Sequence, residues 1–160
     1  MGEESTPESV KDANRKLCKE YPFLLPDYPD PDYDYEYTKL DDMPDGWRIA
    51  FADDLLRDLK QELTKNGSMD GYCIDQIKEK WGYLNWYDTG GTKRWFGEIL
   101  PKYEILSSRT CIHCGKPATL ISKGWIAPYC DDCAAQFRNK DDLMKYYIPI
   151  DEYFSDVDAV

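Results

Sequence analysis

The segment CIHCGKPATLISKGWIAPYCDDC, residues 111–133, decides the fold of the C-terminal part of this 160-residue chain. It contains two Cys-x-x-Cys pairs, Cys111/Cys114 and Cys130/Cys133, which are separated by 15 residues. This spacing is typical of a four-cysteine zinc site, because each pair forms a tight turn that aims two sulfurs at one point. The sequence therefore predicts that these four cysteines bind one structural Zn²⁺.

The residues between and after the cysteine pairs predict a hairpin followed by a helix. Residues 118–122 and 125–129 are strand-prone and meet at Lys123-Gly124, where the glycine favours a tight turn. The second pair then runs into AAQFRNK, residues 134–140, which favours a helix. Knuckle, hairpin and ligand-bearing helix in this order are typical of treble-clef zinc fingers, and an ordinary zinc ribbon is the alternative.

Other roles for the cysteines fit the sequence less well. Disulfides form in oxidising compartments, but the N-terminus MGEESTPESV has neither the basic start nor the apolar stretch of a signal peptide. Iron–sulfur clusters also use cysteine ligands, usually at other spacings. We expect His113, the only histidine, to be a bystander because four cysteines complete a tetrahedral shell. Cys18 and Cys73 are expected to be small core residues.

The first half of the chain predicts two helices. Residues 7–20 form the first helix, with Thr6 as its N-cap. Residues 46–66 form the stronger helix, which Asp45 caps and Gly67 ends in a left-handed conformation. Its apolar face repeats at helical spacing and comprises Ala52, Leu55, Leu56, Leu59 and Leu63.

A β-hairpin and a third helix are predicted next. Residues 72–79 and 83–88 are strand-prone and flank a turn that contains glycine. Thr92 is the expected cap of the following helix, and Pro101 within the helical pattern predicts a kink or an end near Leu100. The apolar residues of this helix are Trp95, Phe96, Ile99, Leu100 and Tyr103.

The fold class that these elements predict is α+β. A small domain has two to three helices and a β-hairpin, and a four-cysteine zinc finger follows it at the C-terminal end. We divide the chain into an acidic N-terminal part (1–47), an α+β core (48–107), the zinc finger (108–140) and an acidic aromatic tail (141–160). The tail residues that are expected to pack back on the domain are Tyr146, Tyr147, Ile148 and Ile150.

The chain carries a net charge of −11, and its acids are concentrated towards the two ends. Residues 1–47 hold 13 acids and 5 bases, whereas residues 48–110 hold 10 of each. Binding to a phosphate backbone requires a basic face, which this distribution does not provide. An acidic protein is instead suited to a basic protein partner, for example a nucleic-acid-binding host protein.

Acidic residues and tyrosines alternate within the proline-rich segment 26–46. In an extended chain this alternation places the tyrosines on one side and the acids on the other. We interpret the segment either as an edge strand or solvated loop that its tyrosines hold on the core, or as a partner-binding surface. The residues of that surface are Asp32, Tyr33, Asp34, Tyr35, Glu36 and Tyr37.

The sequence lacks the usual signs of catalysis and of membrane insertion. A single histidine inside a cysteine knuckle argues against Ser-His or Cys-His nucleophile systems, and no glycine-rich phosphate loop is present. No run approaches the roughly 18 apolar residues that a membrane span needs. We therefore expect a cytoplasmic protein that is not an enzyme and has no small-molecule substrate.

Three stretches of the sequence resemble a group of small proteins from bacteriophages, prophages and gut bacteria. These stretches are MPDGWRIAF at 43–51, QIKEKWGYLNWYD at 76–88 and TCIHCGKPATLISKGWIAPYCDDC at 110–133. The resemblance covers most of residues 14–136 and is clearest in the hairpin and in the CGKPA knuckle. It implies the same four-cysteine site and a bacterial host cytosol, and it implies no established activity.

These observations favour a zinc-stabilised accessory protein of phage or prophage origin that binds a protein partner. A sharper version is an anti-defence, anti-CRISPR-like inhibitor, in which Asp34, Glu36 and neighbouring acids stand in for nucleic-acid phosphates. The alternative is a nucleic-acid-binding zinc finger, with Trp125 available to stack on a base. The basic residues of that alternative are Lys116, Lys123, Arg138 and Lys140.

Overall fold

The computed structural model describes residues 5–26, 32–90 and 98–158, and its helices and two small sheets confirm the predicted α+β class. The helices are α1 (Glu8–Glu20), α2 (Asp45–Asn66), α3 (Ile99–Ser107), α4 (Asp131–Phe137), α5 (Leu143–Tyr146) and α6 (Ile150–Asp158). The strands are β1 (Cys73–Lys80), β2 (Tyr83–Thr89), β3 (Leu120–Ser122), β4 (Pro128–Tyr129) and β5 (Tyr147–Pro149). Within the described ranges, no helix is both long and apolar enough to cross a membrane.

Helix α2 lies at the centre of the main core. Its predicted apolar face is buried, and its four leucines have no exposed surface. Burying one leucine side chain contributes about 1.5–3 kcal/mol, so this face is a large part of the stability of the fold. The helix ends as predicted at Gly67, whose φ of 67° is left-handed. The same cluster of buried side chains reaches from Cys18 in α1 to Tyr103 in α3.

The predicted caps of the first two helices are wrong. Helix α1 begins at Glu8 after Pro7, and no side chain caps it, so Thr6 lies outside the helix. Helix α2 begins at Asp45, and Pro44 precedes it. In both cases the extended backbone of a proline leads into the helix. The acid that follows lies in the first turn, where the helix dipole favours negative charge.

Strands β1 and β2 form the predicted hairpin. They pair antiparallel, and the register shifts once, between Ile74 and Gln76. The turn consists of Trp81 and Gly82, with φ of 55° and 81°, as a type I′ turn requires. One face of the hairpin packs on the main core through Ile74, Ile77, Leu84 and Trp86.

Helix α3 begins at Ile99, so the predicted kink or end near Leu100 is wrong. Pro101 is the third residue of the helix. The first four N–H groups of a helix have no partner within it, so the missing N–H of a proline is tolerated there. The predicted cap Thr92 and the aromatic residues Trp95 and Phe96 lie outside the described residues.

The acidic tyrosine segment is a loop that packs on the main core through Tyr35, which confirms the loop form of the interpretation, whereas the extended alternation is wrong. Tyr35 has a φ of 55°, which breaks the alternation of sides. The tyrosines nevertheless gather on one side, because the Tyr33 ring lies 5.3 Å from that of Tyr35 and 5.8 Å from that of Tyr37. The loop is fixed to helix α1, where the Asn14 side-chain amide donates to the Tyr35 carbonyl at 2.7 Å.

The C-terminal sheet has the strand order β4-β3-β5, and all its pairs are antiparallel. Strands β3 and β4 are the predicted hairpin between the cysteine pairs. The tail packs back, but not through all four expected residues: strand β5 pairs with β3, and Tyr147 and Ile150 are buried, whereas the Tyr146 side chain is exposed. The first residue of α6, Ile150, donates its N–H to the Thr119 carbonyl at 2.9 Å. Strand β5 of the tail therefore completes the sheet that lies beside the cysteines.

Candidate metal centre

The first cysteine pair lies in a tight turn held by main-chain hydrogen bonds. The Gly115 N–H donates to the Cys111 carbonyl at 3.0 Å, and the Cys111 N–H donates to the Lys116 carbonyl at 2.7 Å. Gly115 has a φ of 84°, a left-handed conformation that L side chains rarely adopt. This glycine lets the chain reverse directly after Cys114 and aims both sulfurs the same way.

The second cysteine pair lies at the start of helix α4. Cys130 is the N-cap residue, and its sulfur accepts the Cys133 N–H at 3.4 Å. Strand β4 ends at Tyr129, immediately before this cap, so the β3–β4 hairpin places the second cysteine pair beside the first. The Ile112 N–H donates to the Pro128 carbonyl at 2.9 Å and joins the two halves. Knuckle, hairpin and ligand-bearing helix thus follow one another in the treble-clef order.

The four predicted ligand atoms come together in one cluster. The sulfurs of Cys111, Cys114, Cys130 and Cys133 all lie within 4.8 Å of one another. The sulfurs of Cys114 and Cys130 are 3.6 Å apart, which is too long for a disulfide. All four thiols are free, and three of them are buried while Cys114 is half-buried. This arrangement suits one ion held by sulfur ligands.

The other candidate residues lie outside this cluster. His113 is exposed, and its ring packs against the Phe137 ring with centroids 5.4 Å apart. Cys18 is buried in the main core, as expected. Cys73 is half-buried at the start of strand β1. All three side chains are therefore outside the four-sulfur cluster, and the expectation of a core residue holds for Cys18 but not for Cys73.

Burial and main-chain donors act in opposite directions on the thiols. Burial disfavours the thiolate of Cys111, but backbone N–H groups of Cys114, Cys130 and His113 outweigh it and lower the pKa of Cys111 to about 7. Burial raises the pKa values of Cys130 and Cys133. Four thiolates in so small a volume repel one another, and a bound cation removes that repulsion.

The start of helix α2 packs against the first cysteine pair. The sequence did not predict this contact. The Gly46 N–H donates to the Ile112 carbonyl at 2.9 Å, and the buried Trp47 indole donates to the Thr110 carbonyl at 3.0 Å. These contacts join residues more than 60 positions apart, so no local pattern reveals them. The knuckle is therefore fixed to the main core and not only to its own hairpin.

Three aromatic rings lie in contact with one another beside the cysteine cluster. The Tyr129 ring lies 5.9 Å from that of Phe137 and 5.7 Å from that of Tyr147, both edge to face. Tyr129 also packs directly against the cysteines. The Tyr129 ring therefore limits access of water to the cysteines on its side of the cluster.

The predicted partner-binding residues lie in the loop beside helix α1. Asp32, Asp34, Glu36 and Tyr37 are exposed there, while Tyr33 and Tyr35 are half-buried. Lys11 and Arg15 bind the Asp34 carboxylate at 2.5 Å and 3.1 Å. The hydrogen bond from Lys11 lowers the pKa of Asp34, and the same bond raises the pKa of Lys11. The role of these residues in binding stays a prediction.

Comparison of the chain with protein-family models, with curated proteins and with solved structures gave no match. The fold and the site define a small α+β protein with a C-terminal four-cysteine cluster of zinc-finger type. Its function is therefore inferred from the chemistry of its own residues.

Proposed function

We propose that Cys111, Cys114, Cys130 and Cys133 bind one structural zinc ion and that the protein acts by binding a protein partner. The observation that carries the metal assignment is the convergence of four sulfurs within 4.8 Å. Tetrahedral sites of four thiolates select zinc, with iron as the main competitor. The two Cys-x-x-Cys turns and their separation also favour zinc.

The zinc ion has a structural role in this proposal. Four protein sulfurs fill a tetrahedral shell and leave no position for water or substrate. The finger is held by short strands and a seven-residue helix, which are too small to be stable without a crosslink. The protein is proposed to be non-enzymatic for the same reason: its most distinctive chemical group supports the fold.

Metal analysis of variants tests the zinc assignment. Purified wild-type protein is expected to contain one zinc per chain, and Cys130→Ser is expected to lose it. The matched control is Cys73→Ser, which removes a thiol outside the cluster and should retain full zinc. Equal zinc in all three proteins, or iron in place of zinc, would contradict the assignment.

The proposed partner is a basic protein. Support comes from the net charge of −11 and from exposed acids on a loop that is already ordered against helix α1. An ordered loop loses little conformational freedom on binding, and charge complementarity accelerates encounter with a basic surface. In its sharper form the proposal is a phage or prophage anti-defence protein whose acids replace nucleic-acid phosphates on a host enzyme.

Charge-neutralised variants test this surface. Asp32→Asn, Asp34→Asn and Glu36→Gln are combined, and the matched control neutralises three exposed acids elsewhere: Asp53→Asn, Asp70→Asn and Asp141→Asn. Purified nucleases and CRISPR effectors serve as binding and inhibition targets. Loss of inhibition with the loop variant alone is expected. Inhibition that is unchanged by the loop variant would exclude the phosphate-mimic mechanism.

Nucleic-acid binding by the finger is the alternative, and exposed Trp125 is the observation in its favour, since a free indole can stack on a base. Two of the basic groups already have partners within the chain. The Lys116 ammonium lies 3.7 Å from the Asp132 carboxylate, and the Arg138 guanidinium lies 4.0 Å from the centroid of the Tyr146 ring. A salt-dependent mobility shift of labelled DNA or RNA would support this alternative, and no shift at low salt would remove it.

A further inference from the structure

Two exposed tryptophans lie on neighbouring hairpin turns. Trp81 in the β1–β2 turn is 67% exposed, and Trp125 in the β3–β4 turn is 77% exposed. The two turns are in contact, because a Cβ atom on the buried Gly82 would lie 3.5 Å from the side chain of Ile126. The β1–β2 hairpin, which we call the main-core hairpin, and the β3–β4 hairpin, which we call the finger hairpin, therefore expose their indoles next to each other.

A cleft of about 300 Å³ lies between these turns. We name it the tryptophan cleft; its lining residues are Glu79, Lys80, Trp81, Gly124, Trp125 and Ile126. The Glu79 carboxylate is held in place by the Gly82 N–H, which donates to it at 2.7 Å. This volume lies at the lower end of ligand pockets, so the cleft suits one side chain or a similarly small group.

Within residues 5–26, 32–90 and 98–158, no lysine or arginine lies over the indoles of the cleft. Among the described residues, each lysine or arginine that lies over an aromatic ring contacts a tyrosine or a phenylalanine. These pairs are Arg15/Tyr35, Lys60/Tyr21, Lys78/Tyr87, Lys102/Tyr103, Arg109/Phe154 and Arg138/Tyr146. Tryptophan is the aromatic side chain that attracts cations most strongly. Two exposed indoles beside a fixed carboxylate are therefore an arrangement that suits a cation.

We propose that the tryptophan cleft binds an arginine side chain of a basic partner protein. This inference rests on the proposed protein-binding function and names the chemistry of the partner. A planar guanidinium stacks on an indole and pairs with a carboxylate such as that of Glu79. The net charge of −11 attracts a basic chain and repels a second copy of this acidic one. Glu79 and Lys80 both line the cleft, so their charges offset each other there. The preference for arginine over neutral side chains therefore comes from the indoles and from the net charge of the whole molecule.

Peptide binding measured by fluorescence anisotropy tests the proposal. The probe is a short dye-labelled Gly/Ser peptide with several arginines, and its control has citrulline, which is neutral and nearly isosteric, at the same positions. Trp81→Ala and Trp125→Ala are each expected to weaken arginine-peptide binding by about tenfold. The matched control is Ile105→Ala, which removes an apolar side chain 62% exposed on helix α3 and should bind like wild type.

Three results would overturn the proposal. These are unchanged binding by both tryptophan variants, equal binding of the citrulline peptide, and tighter binding of a neutral proline-rich peptide. A measurement on the wild-type protein avoids any effect of substitution on folding. The indole N–H resonances of Trp81 and Trp125 should shift when arginine peptide is added, while those of the buried Trp47 and Trp86 stay in place.

The failure of this inference is distinguishable from failure of the proposed function. Arginine-peptide binding that leaves the Trp81 and Trp125 resonances unmoved, but is lost when the acids at 32, 34 and 36 are neutralised, would exclude the cleft and retain an acidic protein-binding loop. Shifts of the two resonances that persist in the loop variant would support the cleft, whatever the role of the loop.

Discussion

Gly46 and Gly115 face each other where helix α2 meets the first cysteine pair. A Cβ atom on Gly46 would lie 2.1 Å from the Cys111 carbonyl oxygen, and one on Gly115 would lie 2.6 Å from the Gly46 carbonyl oxygen. These neighbours are backbone atoms, so they cannot move aside as a flexible side chain does. The contact between the helix and the knuckle therefore requires glycine at both positions.

The substitution Gly46→Ala is expected to separate the helix from the knuckle. It should lower the free energy of unfolding by at least about 2 kcal/mol, since overpacking against backbone displaces both elements. Chemical denaturation measures this change. The matched control is Gly71→Ala, where a Cβ atom has open space, and it should change the free energy by less than about 0.5 kcal/mol. Equal effects at the two positions would contradict the close contact.

At the scale of elements, Ser107 connects helix α3 to the main-core hairpin. Its hydroxyl accepts the Leu84 N–H at 2.8 Å and donates to the Glu104 carbonyl at 2.5 Å. The neighbouring Ser108 hydroxyl donates to the Ile105 carbonyl at 2.6 Å, within its own helix. Both serines are buried, so they form a natural pair for comparison.

Replacing Ser107 with alanine is expected to cost about 1–3 kcal/mol of unfolding free energy, because the buried Leu84 N–H loses its acceptor. Ser108→Ala removes one hydroxyl and leaves no strand N–H unpaired, so its effect should be smaller, about 1 kcal/mol or less. Thermal and denaturant unfolding of the two variants measure the difference. A Ser108 variant at least as unstable as the Ser107 variant would contradict this connection.

The β1–β2 hairpin also contains a carboxyl group, that of Asp88, whose surroundings disfavour its charged form. Burial raises the pKa of Asp88, and the charge of Asp75 raises it further, against the hydrogen bond that Tyr72 donates at 2.8 Å. The pKa of Asp88 is higher in the folded than in the unfolded protein. Its protonated form therefore contributes to the stability of the fold, and this contribution is fully present below the unfolded-state pKa. It is lost as pH rises through the folded pKa.

The substitution Asp88→Asn should remove this dependence on pH. The free energy of unfolding of the variant, minus that of the wild type, is expected to become more positive as the pH rises above about 4, the ordinary pKa of an aspartate. Denaturation at a series of pH values measures the difference. Subtraction removes the contributions of groups that titrate in the same way in both proteins. A difference that is flat, or that falls as pH rises, would show that burial does not disfavour the Asp88 carboxylate.

Local elements were predictable where one short pattern decides them. The leucine spacing of helix α2, its end at Gly67 and the Trp81-Gly82 turn are all local, and the structure contains each of them. The spacing of the four cysteines was equally informative, because two Cys-x-x-Cys turns fix the shape of their surroundings. The position of Pro101 was misjudged because a proline in the first turn of a helix and a proline that ends a helix can follow the same local pattern.

Contacts between distant elements were not predictable from the sequence. The docking of Gly46 on Ile112 and the pairing of strand β5 with β3 depend on the assembled fold. The backbone of Tyr35 is left-handed in a loop that helix α1 holds, and the residue order had left an edge strand and a loop open. The tryptophan cleft was missed for the same reason, since its two walls belong to different hairpins.

At the scale of the whole molecule, the described residues contain a large main core and smaller clusters around the finger. The main core includes helix α2 and the β1–β2 hairpin, while Ala118, Ile121, Ile150 and Phe154 form a small cluster between the finger and the tail. The cysteines form a further cluster beside them. The small clusters bury few apolar side chains, so the metal is expected to carry much of their stability.

Removal of the metal by a chelator should therefore destabilise the finger and strand β5 while the main core stays folded. Amide hydrogen exchange is expected to accelerate at residues 111–137 and in strand β5, while helix α2 between Leu55 and Leu63 stays protected. Addition of zinc should restore the original protection. Simultaneous loss of protection in both regions, or no change in either, would contradict a metal that stabilises the finger.

The central claim is that four sulfurs of one chain surround a single zinc ion and hold the finger against the main core. X-ray absorption spectroscopy at the zinc edge, on the purified protein, measures the coordination shell directly. The account predicts four sulfur neighbours at about 2.3 Å and no lighter ligand. A shell with fewer than four sulfurs, or a folded protein that contains no zinc, would contradict it.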